Sequence, residues 1–301
     1  MNLEQLRALV AVVDEGTFEA AARRLSITPS AVSQRIRALE TTTGRVLVQR
    51  GIPCSATEAG TVVLRAARQV DLVVGEATEE LTGPGGDRTV LTVAVNADSL
   101  ATWFPAALRA AATWDDTVLR LRVDDQEHTR AMLAGGEVLA AVTTDRQPVV
   151  GCTVRALGVM RYVPVATPGL LARHQDGASL DLDRMPVVQF NAKDTLQDTV
   201  LDEHAASAAP WHGVPSSEGF ARAVRAGLGW GMLPEHQIGA SLDTGALVRL
   251  PGAATRDVAL HWQVWRLGSR HLERLTDTVV DAARALRPPP MTERMARRPP
   301  R

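Results

Sequence analysis

Apolar residues recur every three or four positions at Leu3, Leu6, Val10 and Val13, which predicts a first helix capped by Asn2 and ended by Gly16. Two shorter frames follow. Phe18, Ala21, Ala22 and Leu25 share one helical face while Glu19, Arg23 and Arg24 take the other. Ser26-Ile27-Thr28-Pro29 breaks and restarts the helix, because Thr28 can accept from free N–H groups and Pro29 has no N–H to lose. From Pro29 to about Glu40, Val32, Ile36 and Leu39 point inward, and Ser30, Ser33, Gln34 and Arg37 gather outside. The stretch Phe18–Arg37 thus predicts two small helices joined by a polar turn. Its outward face suits the DNA major groove, where Gln pairs with adenine, Arg with guanine and Ser with bases or phosphates; Arg35, on the flank, suits a phosphate. The same pattern also occurs in helical domains that bind no DNA.

After Glu40 a TTTGR turn leads to the β-prone Val46-Leu47-Val48, and Gly51-Ile52-Pro53 reverses the chain. This predicts a wing, with Arg50 and Pro53 at its tip and Arg50 in reach of a phosphate or the minor groove. Thr57 caps a helix to about Leu81 that carries Val63, Ala67, Val70, Val74, Ala77 and Leu81 at alternating spacings of four and three. That heptad seam predicts pairing with an identical helix, hence a homodimer and a DNA target of two dyad-related half-sites. Thr82-Gly83-Pro84-Gly85-Gly86 reads as a hinge. Beyond it strands and helices alternate. One unit holds Val90–Asn96, Leu100–Trp114, Val118–Val123, His128–Leu133 and Leu139–Thr143. A second holds Tyr162–Ala166, Val187–Phe190, helices at Thr195–Ala206 and Gly219–Ala226, and Gly231–Leu233, before the strand His261–Arg266 and a last helix Arg270–Leu286. The expectation is α/β with a mostly parallel sheet. The domain boundaries are 1–58 for DNA binding, 59–86 for the dimerisation helix and hinge, 87–290 for the α/β part and 291–301 for a disordered, Pro- and Arg-rich tail.

Composition narrows the classes. No apolar run approaches signal or membrane-span length, so a cytoplasmic protein without membrane contact is expected. Cys54 and Cys152 lack any CxxC spacing and read as ordinary thiols. A net charge of −1 excludes a polycation that coats nucleic acid, so DNA contact must be local to the N-terminal arginines. Lys193 is the only lysine, which reads as codon bias. The histidines are scattered, Gly227-Leu228-Gly229-Trp230-Gly231 follows a helix rather than a strand, and no Gly-x-Ser-x-Gly occurs, so no metal, cofactor or catalytic constellation is indicated.

Ala21-Ala22, Leu25, Thr28-Pro29-Ser30-Ala31-Val32-Ser33, Ile36 and Leu39-Glu40, followed by Leu47-Val48-Gln49-Arg50 and Thr57-Glu58-Ala59-Gly60, resemble the N-terminal signature of LysR-type transcriptional regulators. The resemblance implies a winged helix-turn-helix and linker helix. It also implies a C-terminal α/β effector domain like a periplasmic solute-binding protein, with two subdomains (I about 87–161 and 267–290, II about 162–266) joined by strands crossing near Met160–Val163 and Trp262–Leu267. It further implies a homodimer, with homotetramer next, and makes RNA polymerase a candidate partner.

In open α/β sheets ligands bind beyond the carboxyl ends of strands. Asn96, Asp98 and Ser99, then Asp124, Asp125 and Glu127, then Thr143, hold such positions, as do Phe190-Asn191 and Ser216-Ser217-Glu218, Ser217 opening a helix. Hydroxyls at helix starts suit an amino-acid carboxylate, and carboxylates suit its ammonium and a cationic side chain; the same residue types are also ordinary N-caps. NADSLATW, VDDQEHTRAML and SSEGFARAVRAGLGWGMLP resemble the LysG/ArgP branch, which implies lysine or arginine as effector and an amino-acid exporter gene as target. The family role carries over to Asn96, Asp98, Ser99, Asp124, Asp125, Glu127, Thr143 and Ser217, with Trp103 and Trp230 as candidate cleft walls. The alternatives are a regulator of this type sensing another metabolite and, from a different class, a solute-binding protein; an enzyme ranks third.

Overall fold

The computed structural model describes residues 1–82, 88–123, 126–176, 179–206 and 209–288. Helices α1 (Leu3–Glu15), α2 (Phe18–Arg24) and α3 (Pro29–Thr43) form where the caps predict: Asn2 makes a capping box with Gln5, Thr17 accepts from Ala20 N, and Thr28 accepts from Ala31 N. They close over a core of Leu9, Val12, Ala21, Val32, Ile36, Leu39 and Leu47. The short strands β1 (Val48–Gln49) and β2 (Ser55–Ala56) make the wing.

Three motif residues find their physical reason here. Glu40 reaches past the end of α3 to accept from Leu47 N at 2.9 Å, which pins the start of the wing to the reading helix. Thr57 accepts from Gly60 N at 2.9 Å and donates to Val46 O at 2.7 Å, so it caps α4 (Glu58–Thr82) and ties it to the wing at once. At Gly60 the helix runs so close to Leu47 that a Cβ would lie 1.9 Å from its carbonyl oxygen; only glycine fits.

The α4 seam needs correction. Ala67, expected on the dimer face, is buried with Leu64 in the DNA-binding core of the same chain, and Leu72 enters the core of the α/β domain. Of the expected seam Val70, Ala77 and Leu81 are exposed while Val63 and Val74 are half-buried; the exposed large apolar residues are Val62, Val70, Val73 and Leu81, a stripe rotated by about one residue at its N-terminal end. Polar contacts then clamp α4 to the α/β domain at two levels. Arg65 donates to Ala134 O and Arg68 to Gly136 O, at 3.2 and 3.0 Å, and Arg68 also pairs with Asp14 of α1. Further along, the buried Glu76 accepts from the Ser269 hydroxyl and Arg270 N, while Glu79 pairs with Arg270 at 2.7 Å and His271 at 3.2 Å. The expected hinge at 82–86 lies outside the described residues except for Thr82, the last residue of α4.

In the α/β domain β3 (Thr89–Ala94), α5 (Ala97–Ala101), α6 (Pro105–Ala111), β4 (Thr117–Arg122), α7 (Gln126–Ala134) and β5 (Ala140–Thr143) build the first unit, with β3 parallel to both β4 and β5. The single helix expected over Leu100–Trp114 is broken, because Pro105 starts a new one at N1. The long β6 (Cys152–Ala166) leads into the second unit: α8 (Pro168–His174), the strands β7 (Gln175–Asp176), β8 (Ser179–Leu180) and β9 (Val187–Gln189), α9 (Asp198–Glu203), β10 (Trp211–Gly213), α10 (Ser217–Arg225), β11 (Gly231–Pro234), α11 (Glu235–Ile238) and β12 (Val248–Arg249). Then β13 (Arg256–Trp265) runs back antiparallel to β6, and α12 (Arg270–Ala282) returns to the first unit.

The main sheet order is β11-β6-β13-β5-β3-β4, with β12 also on β6. One end of β6, residues 162–166, pairs with the second unit, and the later half of β13, residues 261–264, pairs with β5 of the first. The passage between units therefore falls on the stretches 158–161 and 257–260. The second crossing precedes the expected Trp262–Leu267, because His261–Val264 already belong to the first unit's sheet. Arg161 and Asp257, at 2.6 Å, pair across the two passing strands. Cys54 and Cys152 are buried free thiols, and burial pushes Cys152 up to about 11. Trp103 and Trp230 are core residues rather than cleft walls. The tail at 291–301 lies outside the described residues.

Candidate functional site

Two surfaces carry chemistry. On α3 the inward Val32, Ile36 and Leu39 are buried, and Thr28, Pro29, Ser30, Gln34 and Arg37 are exposed with Ser33 half-buried among them. The reading face is thus presented as the periodicity requires. Arg35 leans back to Glu4 at 2.8 Å, so a phosphate would share or replace that ion pair. Arg50 lies over the Phe18 ring at 5.3 Å and, with the exposed Pro53, stands at the wing beside the start of α2.

The second surface is a cavity of about 500 Å³ between the two units, within the ~300–1,000 Å³ usual for small-ligand sites. Asn96 and Asp98 come from the end of β3 and the first turn of α5, Tyr162 from the crossing strand, Ser217 from the start of α10, and Gln237 from α11; the segment Phe190–Gln197 closes one wall. Asp98 is the centre. Its carboxylate accepts from the Tyr162 hydroxyl at 2.7 Å and the Ser217 hydroxyl at 2.6 Å, and Gln237 Nε2 donates to Ser217 Oγ at 2.9 Å. A single carboxylate thus joins both units and the strand between them.

Burial pushes the Asp98 carboxyl above the usual range; the two hydroxyls pull it back and Asp194 adds to the rise. Burial, and then the Asp98 charge, push Tyr162 well above the ordinary phenol value. Asp194 is itself held by Phe190 N at 2.9 Å and Leu196 N at 3.3 Å. Two amide oxygens add to this acceptor-rich lining. Gln197 gives its Nε2 to Val188 O at 3.2 Å, which turns Oε1 the other way; among the described residues neither that atom nor Gln237 Oε1 has a hydrogen-bond donor.

The other expected effector residues divide. Asn96 lines the cavity and also caps α5 by accepting from Ser99 N at 2.8 Å. Ser99 is buried beneath the wall, and Thr143 turns away to accept from Asp145 N at 3.0 Å. Asp124 and Asp125 lie outside the described residues, as does the Glu127 side chain, while Val123 before them lines the cavity. Sequence reading missed Tyr162, Asp194, Gln197 and Gln237, which approach only through the crossing topology. Tyr162 did carry one signal: it is the only tyrosine of the chain.

A third cluster, Glu79, Asp116 and His271, sits where α4 meets α12. Arg274 beside Asp116 holds that carboxyl down to about 2, and Arg270 lowers Glu79, so the carboxylates serve an ion-pair network that fastens the linker helix. Among the described residues no helix is long and apolar enough to cross a membrane.

The chain resembles known proteins over nearly its whole length. Residues 3–61 match the bacterial regulatory helix-turn-helix proteins of the lysR family, and residues 84–284 match the LysR substrate binding domain. It is 51% identical to the lysine export transcriptional regulatory protein LysG of Corynebacterium efficiens, over 95% of this chain and 99% of that one. To the regulator ArgP of Pseudomonas aeruginosa it is 38% identical over 92% and 94%. Among solved structures, full-length LysG from Corynebacterium glutamicum with bound effector Arg superposes with a TM-score of 0.80 at 47% identity, covering 96% of this chain and all of that one. ArgP from Mycobacterium tuberculosis gives 0.84 at 46%, covering 95% and 98%. With a reading helix at one end, a two-unit cleft at the other and these relatives along its full length, the chain belongs to the LysR family of DNA-binding transcriptional regulators.

Proposed function

We propose that this regulator responds to a basic amino acid, arginine or lysine, held in the cleft around Asp98, and that it acts on an amino-acid export gene. The charge of the cavity carries the reading. Among its described lining residues the ionisable carboxylates are Asp98 and Asp194 and the cation is Lys193, a balance of two negative to one positive. Arginine and lysine bring the inverse, two cations and one carboxylate. The orphaned amide oxygens of Gln197 and Gln237 want N–H donors, which a guanidinium or ammonium supplies and a neutral aliphatic side chain does not. Asn96, Asp98 and Ser217 serve in that site; the names of the LysG relatives and the arginine in the C. glutamicum structure point the same way. Calorimetric titration tests this with arginine against citrulline, in which a neutral urea group replaces the guanidinium. Arginine should bind at least about tenfold more tightly, a difference of about 1.4 kcal/mol; equal affinities would refute a site built for cations.

For DNA, the reading surface is Thr28, Pro29, Ser30, Ser33, Gln34 and Arg37, with Arg50 and Pro53 at the wing. The apolar stripe Val62, Val70, Val73 and Leu81 on α4 pairs with the same stripe of a second copy, so two reading helices address a dyad, and dimers pair further into tetramers. Val70→Glu puts a charge into that seam and should raise the dimer dissociation constant at least about tenfold. Light scattering across a dilution series reads it, and an unchanged dimer would assign the stripe to solvent. Action in the cytoplasm on a promoter, with RNA polymerase as a partner, completes the reading.

A further inference from the structure

The charge of this chain is written almost wholly in arginine: of 33 basic residues one is lysine, leaving 33 − 1 = 32 arginines. That one, Lys193, lies on the lining of the cavity, in the wall segment between Asn191 and Asp194. The segment is well defined, since Asn191 Oδ1 accepts from Lys193 N at 2.8 Å and Asp194 N donates to Asn191 O at 3.1 Å. A bias that replaced lysine elsewhere explains the arginines; it does not explain why the exception falls at the cleft.

Resting on the basic amino-acid reading above, we infer that Lys193 receives the effector's α-carboxylate and so makes the cleft select amino acids over the corresponding decarboxylated amines. An arginine effector must place a carboxylate in a cavity whose other charged side chains, among the described lining residues, are the carboxylates Asp98 and Asp194. Lys193 is the one cation among the described lining residues. The hydroxyl that opens α10 is already given to Asp98, and Ser216 already holds Gly219 N at 3.2 Å, so the first turn of that helix is partly committed.

The chemistry also says why arginine does not stand at position 193. A guanidinium there would offer forked pairing to the carboxylates of the lining and compete with the effector's own cation for them. The compact ammonium of lysine binds a carboxylate as a point charge and competes less for that forked geometry.

The test is a cycle of two proteins and two ligands, measured by calorimetry on the full chain: wild type and Lys193→Met, each with arginine and with agmatine, which is arginine without its carboxylate. Wild type should prefer arginine, and Lys193→Met should bind arginine about ten- to a hundredfold more weakly while agmatine is unchanged. Lys193→Arg should also weaken arginine binding rather than preserve it. Because Lys193 is the only side-chain amine, reductive ¹³C-methylation places its label on this residue and the chain's α-amine alone, and arginine should shift the Lys193 signal but agmatine should not. If Lys193→Met binds arginine as wild type does, with the preference over agmatine intact, the carboxylate goes to α10 and the inference is wrong. If wild type binds no basic amino acid at all, the reading of the cleft fails and takes this assignment with it.

Discussion

Asp98→Asn should lower arginine affinity by about 2–4 kcal/mol, on the order of 30- to 1,000-fold, without lowering the melting temperature measured in the absence of arginine. The two halves have opposite physical origins. Asp98 is buried, accepts two hydroxyls and lies near Asp194. A carboxyl whose folded pKa is raised above its unfolded value favours folding below that unfolded value, and the benefit is lost as pH rises through the folded pKa. At neutral pH, above the unfolded value, this buried carboxyl is thus a cost that the fold bears without arginine, and asparagine removes the ionisable group while keeping an acceptor. With arginine bound, the same charge faces a cation in a low-dielectric site, and its loss leaves that cation poorly paired. Calorimetry and thermal unfolding on one preparation check both halves; unchanged affinity would take Asp98 out of the site, and a large fall in melting temperature would make it a structural anchor instead.

Gln34→Ala and Arg37→Ala should each erase about 1–3 kcal/mol of preference for DNA recovered from a random pool over an unrelated duplex, roughly 5- to 150-fold. Both residues are exposed on the face of α3 opposite Val32, Ile36 and Leu39, so neither change disturbs the core that orients the helix. Arg35→Ala should behave differently. Its guanidinium is paired with Glu4, so its loss should weaken specific and unrelated duplexes alike, and only modestly. Competition binding at fixed salt separates the cases. Equal losses on both duplexes for Gln34→Ala would mean that it touches backbone rather than bases.

What could be read from the chain and what could not follows from the range of the forces involved. Thr28, Pro29, Asn2 and Thr57 act on N–H groups three residues away or fewer, so the helix starts at those places were legible. The α4 seam was legible as a period but not as a face. Periodicity cannot tell that Leu64 and Ala67 are covered by α1 and the wing, which leaves Val62, Val70 and Val73 outside. Most of β6 escaped, because its half-buried first part alternates weakly and Gly158 interrupts it where Leu286 and Arg287 pack against it; Arg287 O accepts from Val159 N at 2.8 Å there.

In the site, Asp98 and Ser217 were visible as polar residues at strand ends and helix starts. Tyr162 and Gln237 were not, since Tyr162 meets Asp98 and Gln237 meets Ser217 only after two strands cross and α11 folds back, across sequence separations that no local pattern spans. Lys193 was visible as the only lysine, but composition alone shows how rare a residue is and not that it stands on the cavity wall.

The clamp from Glu76 and Glu79 fastens α4 to the start of α12. Beyond α12, Arg287 pairs with Glu235 of α11 at 2.7 Å, two residues from Gln237. An effector shifts the DNA-binding state only by as much as it binds one arrangement better than the other. The direct measurement is the affinity and footprint of the full-length protein on its selected DNA, with and without saturating arginine, in wild type and in Asp98→Asn. Arginine should change the wild-type affinity or footprint and leave Asp98→Asn unaffected at the same concentration. No change in wild type, or the same change in both proteins, would contradict control of DNA binding through this cleft.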